Sequence, residues 1–306
     1  MLPGSEGPHH DPVDKIRTVL RMEFVGSAMP WKYTEEYYRE YTRSTWNESA
    51  KDYTSLMRRF EPVRSHLVAG LDPKAGERIL DLGTGPGEPA MTIGRRVGPT
   101  GHVTGVDLSE KMIDLASQTA REQKIQNVEF RTMDCASLDL PSATFDGTLS
   151  CFGFQIFTDP ETAAKEARRV LKPDGRIAVS VWGTGDKTPF LHAIIGPMLE
   201  HAEPDENGYI PTPYETGGPG EMVTFLEAAG FHDAREERRT FTMAFRDPDE
   251  YLATILKGTP IGHSLSEEDP EVQAEVLAKT RENLRQWDTP NGVELPAEVV
   301  FVRARV

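Results

Sequence analysis

The stretch Ile79-Leu80-Asp81-Leu82-Gly83-Thr84-Gly85-Pro86-Gly87 decides the fold. A short apolar run meets an acid, and glycines then stand at every second position. Such a turn lets main chain come close to a ligand, because no Cβ stands between them. About twenty residues beyond the last glycine, Val103-Thr104-Gly105-Val106-Asp107 is a second apolar run that ends in an acid. An acid at that spacing, on the tip of a neighbouring strand, is placed for the two hydroxyls of a ribose. The two runs together predict a nucleoside-containing cofactor at adjacent strand ends.

Outward from these runs, strand and helix patterns alternate. Strands are predicted at Arg78–Leu82, His102–Asp107, Val128–Thr132, Phe145–Ser150 and Arg176–Trp182, with helices between them. Helix starts are marked by Glu88-Pro89, Ser109 and Asp159-Pro160, and Lys172-Pro173-Asp174-Gly175 is a turn signal. This alternation implies βαβ units, right-handed crossovers and a parallel sheet. Upstream, Val13, Ile16, Val19 and Leu20 recur at helical steps. An aromatic stretch, Trp31 to Tyr41, follows. Thr45 reads as the N-cap of a helix through Tyr53, with another helix from Pro62 to Gly70. Downstream, a helix is expected from Pro189 to His201. Pro204–Pro213 and Gly217–Gly220 read as a long irregular loop. Further helices are expected at Glu221–Ala229, Asp249–Leu256 and Pro270–Trp287, and strands at Phe231–Phe245 and Val293–Val306.

The bulk properties narrow the function. The chain has 306 residues, a formal net charge of −15 and two cysteines, Cys135 and Cys151. That charge opposes a polyanionic partner, so nucleic acid is not expected. No run reaches the ~18 apolar residues of a membrane span, and the first residues lack the pattern of a signal peptide. Two distant cysteines without a histidine cluster predict neither a zinc site nor a disulfide framework, and a cytoplasmic setting fits them. Oligomeric state is left open; a homodimer is compatible.

The glycines discriminate between cofactors. A nicotinamide turn reads G-x-G-x-x-G, whereas here Gly87 gives G-x-G-x-G and Glu88 holds the third position. A carboxylate at that helix start crowds a pyrophosphate, which a helix N-terminus otherwise welcomes. The pattern favours a nucleoside ligand without phosphates, and S-adenosyl-L-methionine is one. On these residues, with Trp46–Tyr53, Gly105–Met112, Asp134, Phe145-Asp146-Gly147 and Val170–Arg176 in this order, the chain resembles the class I S-adenosylmethionine-dependent methyltransferases. Within them it is similar to the ubiquinone/menaquinone C-methyltransferase branch.

The resemblance implies an α/β, Rossmann-like, seven-stranded and mostly parallel sheet with helices on both faces and the last strand antiparallel. It divides the chain into an N-terminal helical extension and cap (1–70) and a methyltransferase domain (71–306) carrying a cap insert at about 183–220. It also implies roles. Asp81 and the Gly83-Thr84-Gly85 backbone would face the methionine end, Asp107 would take the ribose hydroxyls, and Leu108 and Met112 would sandwich adenine. Asp134 would take the adenine amino group with Cys135 beside it, and Ser150 and Phe152 would lie near the transferable methyl. The product would be S-adenosyl-L-homocysteine, and no metal is implied. The residues themselves offer no unmistakable base, since Phe152-Gly153 leads into Phe154-Gln155-Ile156-Phe157 without a histidine. His192 is the one candidate worth testing, ahead of His263 in a loop; Cys151 reads as apolar filler. The cap pieces carry Phe190, Ile194, Met198, Tyr209, Ile210 and Tyr214, so a fairly large apolar or aromatic acceptor is expected. The competing readings are a nicotinamide-dependent oxidoreductase, disfavoured by the missing third glycine, and a non-catalytic cofactor-binding module.

Overall fold

The predicted strands Arg78–Leu82, His102–Asp107 and Arg176–Trp182 of the central repeat send apolar side chains into two cores, one on each face of the sheet. The computed structural model describes residues 35–202, 212–214 and 216–306. The helix pattern near Val13, the aromatics Trp31 and Tyr33, the side chains of Tyr37 and Tyr38, and Tyr209 and Ile210 lie outside that description.

The strands are β1 (Arg78–Leu82), β2 (His102–Asp107), β3 (Val128–Thr132), β4 (Phe145–Cys151), β5 (Leu171–Trp182), β6 (His232–Phe245), β7 (Asp288–Thr289) and β8 (Gly292–Arg305). They make one eight-stranded sheet, ordered β3-β2-β1-β4-β5-β8-β6, with the two-residue β7 paired to β8. The expected seven strands are therefore present with one short addition. Strands β1 to β5 pair in parallel, and β8 runs antiparallel between β5 and β6. The order reverses direction at β1, between β2 and β4. In open α/β sheets the crevice outside the strand carboxyl ends at such a point is where ligands bind.

Alternation along the strands feeds two cores. In β8, Val293, Leu295, Ala297, Val299 and Phe301 enter one core, and Val300, Val302 and Ala304 the other. One face is covered by α2 (Glu61–Leu71), α3 (Ala90–Val97) and α6 (Pro189–Leu199), the other by α5 (Pro160–Val170) and α7 (Glu221–Ala228). Helix α4 (Glu110–Glu122) starts at Ser109, whose Oγ accepts the Met112 N–H at 3.1 Å. The edge strand β6 is blunted by charge, with Arg239 on Glu237 and Arg238 on Glu236 and Glu298.

The cap differs from expectation in three places. Helix α1 runs unbroken from Glu35 to Arg59. Thr45 is inside it, and its hydroxyl donates back to the Tyr41 carbonyl at 3.0 Å, so burial and this bond replace the capping role. Helix α2 packs its Val63, Leu67 and Leu71 into the core beneath the sheet. Between α8 (Pro248–Gly258) and α10 (Pro270–Arg285) stands a further helix, α9 (Pro260–Ser266), started by the Thr259 hydroxyl. It is too short for periodicity to announce, and it carries His263. In β5, Lys172–Gly175 is absorbed as an irregularity, where the register on β4 shifts between Phe145 and Gly147.

Candidate active site

Asp107 is the best-held polar group at the strand ends. Its Oδ2 accepts the Gly85 N–H at 2.8 Å, and its Oδ1 accepts the Ser109 N–H at 3.0 Å. Burial pushes its carboxyl up, while the N–H groups of Ser109, Gly85 and Leu108 pull it back. Both oxygens keep spare lone pairs on the same wall as the glycine turn. Gly83 and Gly85 have left-handed φ values of 69° and 53°, which other residues reach only with strain. A Cβ on Gly83 would sit 3.1 Å from the Phe157 ring, so chain and ring already touch.

Asp81 lies below this turn, fully buried. Its Oδ2 accepts the Thr84 hydroxyl at 2.8 Å, and among the described residues nothing completes a hydrogen bond to Oδ1. Burial pushes its pKa up to about 7, against the pull of the Thr84 hydroxyl and the Ala90 N–H. Glu88 folds over the N-terminus of α3, where its Oε2 accepts the Thr92 N–H at 3.2 Å and the Thr92 hydroxyl at 2.8 Å. The site a pyrophosphate would use on that helix is thus filled by the chain's own carboxylate. A bare main-chain cradle, a clamped carboxylate and a buried acid with an idle oxygen suit a ligand with a ribose diol, a cationic tail and no phosphate.

These groups edge a cavity at the strand ends. Its wall includes Gly83, Gly85, Asp107, Leu108, Met112, Asp134 and Cys135, so seven of the ten cofactor residues named from sequence meet there. The other three stand behind the wall. Asp81 and Thr84 hold the turn from below, and the Ser150 hydroxyl donates to the Leu82 carbonyl at 2.9 Å, stitching β4 to β1. Asp134 accepts the Ala136 N–H at 2.8 Å and has the Arg39 guanidinium 2.8 Å from Oδ2, an ion pair out of line for a hydrogen bond.

Helix α1 roofs the cavity. Asn47 fastens it, since its Oδ1 accepts from the Ser109 hydroxyl (2.6 Å) and the Lys111 N–H (3.1 Å) at the start of α4. The Asn47 amide also donates to Glu110, which Arg43 reaches at 2.7 Å. The roof then lowers Trp46 and Tyr53 over the turn, their rings 5.1 Å apart and edge to face.

At the end of β4, Phe152 adopts a left-handed φ of 62°. For a bulky residue this costs about 1–3 kcal/mol and needs support from its surroundings. The support is the Phe152 N–H bond to the Ser180 carbonyl (2.9 Å) and stacking on Trp182 at 3.9 Å, with Phe60 edge-on to both rings. The strained turn aims Phe152 at the floor of the cavity.

Beyond Trp46 and Trp182 a second cavity continues, sharing Thr42, Gln155, Ile156, Leu191 and Thr259 with the first. Its far wall is Ile195, Pro213, Pro260, Ile261 and the pair Tyr41–Ser264, whose hydroxyls lie 3.2 Å apart. Helix α6 thus presents Phe190, Leu191 and Ile195 to the two cavities, while Ile194, Met198 and Tyr214 are buried in the core. His192 lies elsewhere, in a groove with Gly185, Pro189 and Gly196, so the structure does not bring it to the site. His263 stands beside Glu48 and Glu267, likewise off the cavity wall. Burial raises the Cys135 thiol and pushes Cys151 up to about 12, so both stay protonated at neutral pH; Cys151, expected as filler, is only partly buried and lines the cavity. Sequence reasoning gave no role to Asn47, Gln155 or Thr259. Asn47 and Thr259 act through partners in other elements; for Gln155 the only signal was its place after Phe152-Gly153.

A methyltransferase-domain family model matches residues 79–175. Over 187 residues the chain is 30% identical to the nocamycin O-methyltransferase of Saccharothrix syringae, covering 58% of this chain and 67% of that one. Over 186 residues it is 32% identical to the demethylmenaquinone methyltransferase of Thermus thermophilus, covering 56% of this chain and 81% of that one. The chain belongs to the S-adenosylmethionine-dependent methyltransferases. Against other curated relatives the methyltransferase spans about half of their length. Its fold is also that of the YcgJ protein of Bacillus subtilis, at a TM-score of 0.55 and 18% identity over 79% of this chain and 97% of that one. The cofactor is S-adenosylmethionine, which the phosphate-free cradle fits.

Proposed function

We propose that this methyltransferase moves the cofactor's methyl group onto a small apolar or aromatic acceptor, at carbon, oxygen or nitrogen, by in-line displacement. The observation that carries the proposal is the pair of confluent cavities at the carboxyl ends of β1 to β5. One is edged by Asp107 and the glycine turn; the other is apolar and lies beyond Trp46 and Trp182. Bound, the cofactor supplies a methyl carbon already activated by a sulfonium leaving group.

In this reading Asp107 receives both ribose hydroxyls, and Leu108 and Met112 hold the adenine, with Asp134 and Cys135 at its edge. Gly83 and Gly85 cradle the methionine end. Asp81, Thr84 and Ser150 act from behind, Asp81 as the counter-charge for the cofactor's ammonium. Alignment of the two reactants at about 3–3.5 Å is the protein's main contribution to rate. The same reading takes residues 1–70 as extension and cap and 71–306 as the methyltransferase domain with its insert at 183–220. The net charge of −15 supports a small molecule over nucleic acid as acceptor. The same reading takes the enzyme as cytoplasmic, a setting in which the free thiols of Cys135 and Cys151 stay reduced. One chain lines both cavities, so the reading does not depend on a homodimer.

Calorimetry tests the cofactor half. S-adenosylhomocysteine should bind and NADH should not; the reverse would restore the oxidoreductase reading. Methyl-labelled cofactor mixed with a metabolite extract tests the other half, and a labelled small-molecule product is expected. Binding without any product would favour a non-catalytic module.

A further inference from the structure

Gln155 stands where the two cavities join, 5% exposed and walled by Trp46, Ile156, Trp182 and Leu191. Its Oε1 accepts the main-chain N–H of Trp182 at 2.9 Å. That bond settles which way round the carboxamide sits: the carbonyl faces β5, and the nitrogen faces away from it. Among the described residues Nε2 makes no hydrogen bond, and it is not one of the buried polar atoms left without a partner, so it opens onto the space of the cavities that Gln155 lines. An amide held by its oxygen, with its nitrogen facing a cavity and bonded to no protein group, is a donor that a ligand's oxygen can complete. Nearby polar groups are otherwise engaged: the Thr259 hydroxyl donates to the Ile255 carbonyl, and the Tyr41 and Ser264 hydroxyls meet each other.

We propose that Gln155 is the residue that orients the methyl acceptor, by donating from Nε2 to an oxygen on it. The inference rests on the methyltransferase reading and sharpens it. The acceptor class is a planar, largely apolar molecule carrying a carbonyl, phenolate or enolate oxygen at or beside the atom to be methylated. An amide N–H pair donates to a neutral or an ionised oxygen and most strongly to the ionised one, so a phenolate or enolate is the reactive form it holds. The acceptor enters having already given its proton to solvent. Its lone pair then forms the new bond to the methyl carbon, the carbon–sulfur bond breaks, and that electron pair stays on sulfur. Anion and sulfonium become two neutral products, and no side chain has to move a proton. Trp46 and Trp182 keep the ring flat against the junction while Gln155 sets its rotation.

The test uses the full chain loaded with S-adenosylhomocysteine and calorimetric titration of paired probes. Indandione, naphthol and hydroxynaphthoquinone carry the oxygen; indane and naphthalene do not. The wild type should bind at least one oxygen-bearing probe about tenfold or more tightly than its oxygen-free counterpart. Gln155→Glu keeps the Oε1 that receives the Trp182 N–H and replaces the donor with a negative oxygen. It should lose that preference while retaining its affinity for S-adenosylhomocysteine and for naphthalene. Should the Glu variant not fold, Gln155→Met, of similar length and without donors, takes its place. Equal binding of both probe types by the wild type, no binding of any oxygen-bearing probe, or an unchanged preference in the variant would each overturn the assignment. Failure of the underlying reading would show differently, as wild-type protein that does not bind S-adenosylhomocysteine at all.

Discussion

The cofactor side of the site is made by consecutive strand ends, and the acceptor side by helices from three distant parts of the chain. On the first side Gly83, Gly85, Asp107 and Asp134 are fixed by backbone conformation or by main-chain hydrogen bonds within a turn or between adjacent strand ends. On the second, Thr42, Leu191, Ile195 and Ile261 meet only because α1, α6 and α9 share one core. The first side is polar and stiff, and the second is apolar and shaped by packing. A cofactor common to many reactions suits the stiff side, while the packed side can be reshaped residue by residue without disturbing it. This division of labour is what the following changes should break or sharpen.

Asp107→Ala should have the largest effect. Two hydrogen bonds from ribose to a charged oxygen pair are worth roughly 3 kcal/mol together, or a loss on the order of 100-fold in S-adenosylhomocysteine affinity by calorimetry. The unfolding midpoint should fall only slightly, since the Gly85 and Ser109 N–H groups can turn to water. Undiminished affinity would remove Asp107 from the site.

Ile261→Trp attacks the other side. Ile261 lines the apolar cavity, is partly exposed and touches neither the glycine turn nor Asp107. Filling that space should displace the acceptor by an ångström or so, which can cost about 10²-fold in turnover, while S-adenosylhomocysteine affinity stays unchanged. If both readouts fell together, the two sides would not be separable.

The pH dependence belongs to Asp81. Its carboxyl ionises near pH 7 in the fold and near 3.8 in the unfolded chain. As pH rises from about 4, the unfolded chain gives up this proton first, so native stability declines, and the decline is complete above 7. Between pH 6 and 8 this amounts to about 1.4 kcal/mol for a midpoint near 7. Asp81→Asn should flatten that slope in thermal unfolding of the cofactor-free protein. Cofactor binding should show the opposite sign. A cationic tail favours the ionised acid, so affinity should weaken about tenfold from pH 8 to pH 6 in the wild type and not in the variant.

The same division explains what could be read from the chain. The strands, the cap Ser109 and the cofactor wall from Gly83 to Cys135 are written in local pattern: alternation, glycine spacing, an acid at a strand tip. Asp81, Thr84 and Ser150 were legible as neighbours of the ligand but not as its supports, because whether a strand-end side chain points up or back depends on which strand lies beside it. The acceptor wall was read wrongly on α6, where Ile194 and Met198 turned out to be core and Leu191 and Ile195 lining. A helix that is apolar all round does not say which stripe faces a cavity. His192 failed for the same reason, and α9 escaped because seven residues hold barely two turns.

Asn47 is the joint between the sides, and its loss should be the smallest effect and the most telling. Its carbonyl caps α4 beside Asp107, and its backbone belongs to the roof that carries Thr42, Trp46 and Tyr53. Asn47→Ala removes a partner from the Lys111 N–H and the Ser109 hydroxyl, which by the cost of other helix caps is about 1 kcal/mol in unfolding free energy. If the roof only covers the cofactor, S-adenosylhomocysteine affinity alone should drop a few-fold. If it positions both reactants, as its place over both cavities requires, the KM for the acceptor should rise alongside, although Asn47 lines neither cavity. A variant with lower stability but unchanged values for both ligands would mean that the stiff and packed sides are joined only through the sheet, and that α1 is cover rather than part of the site.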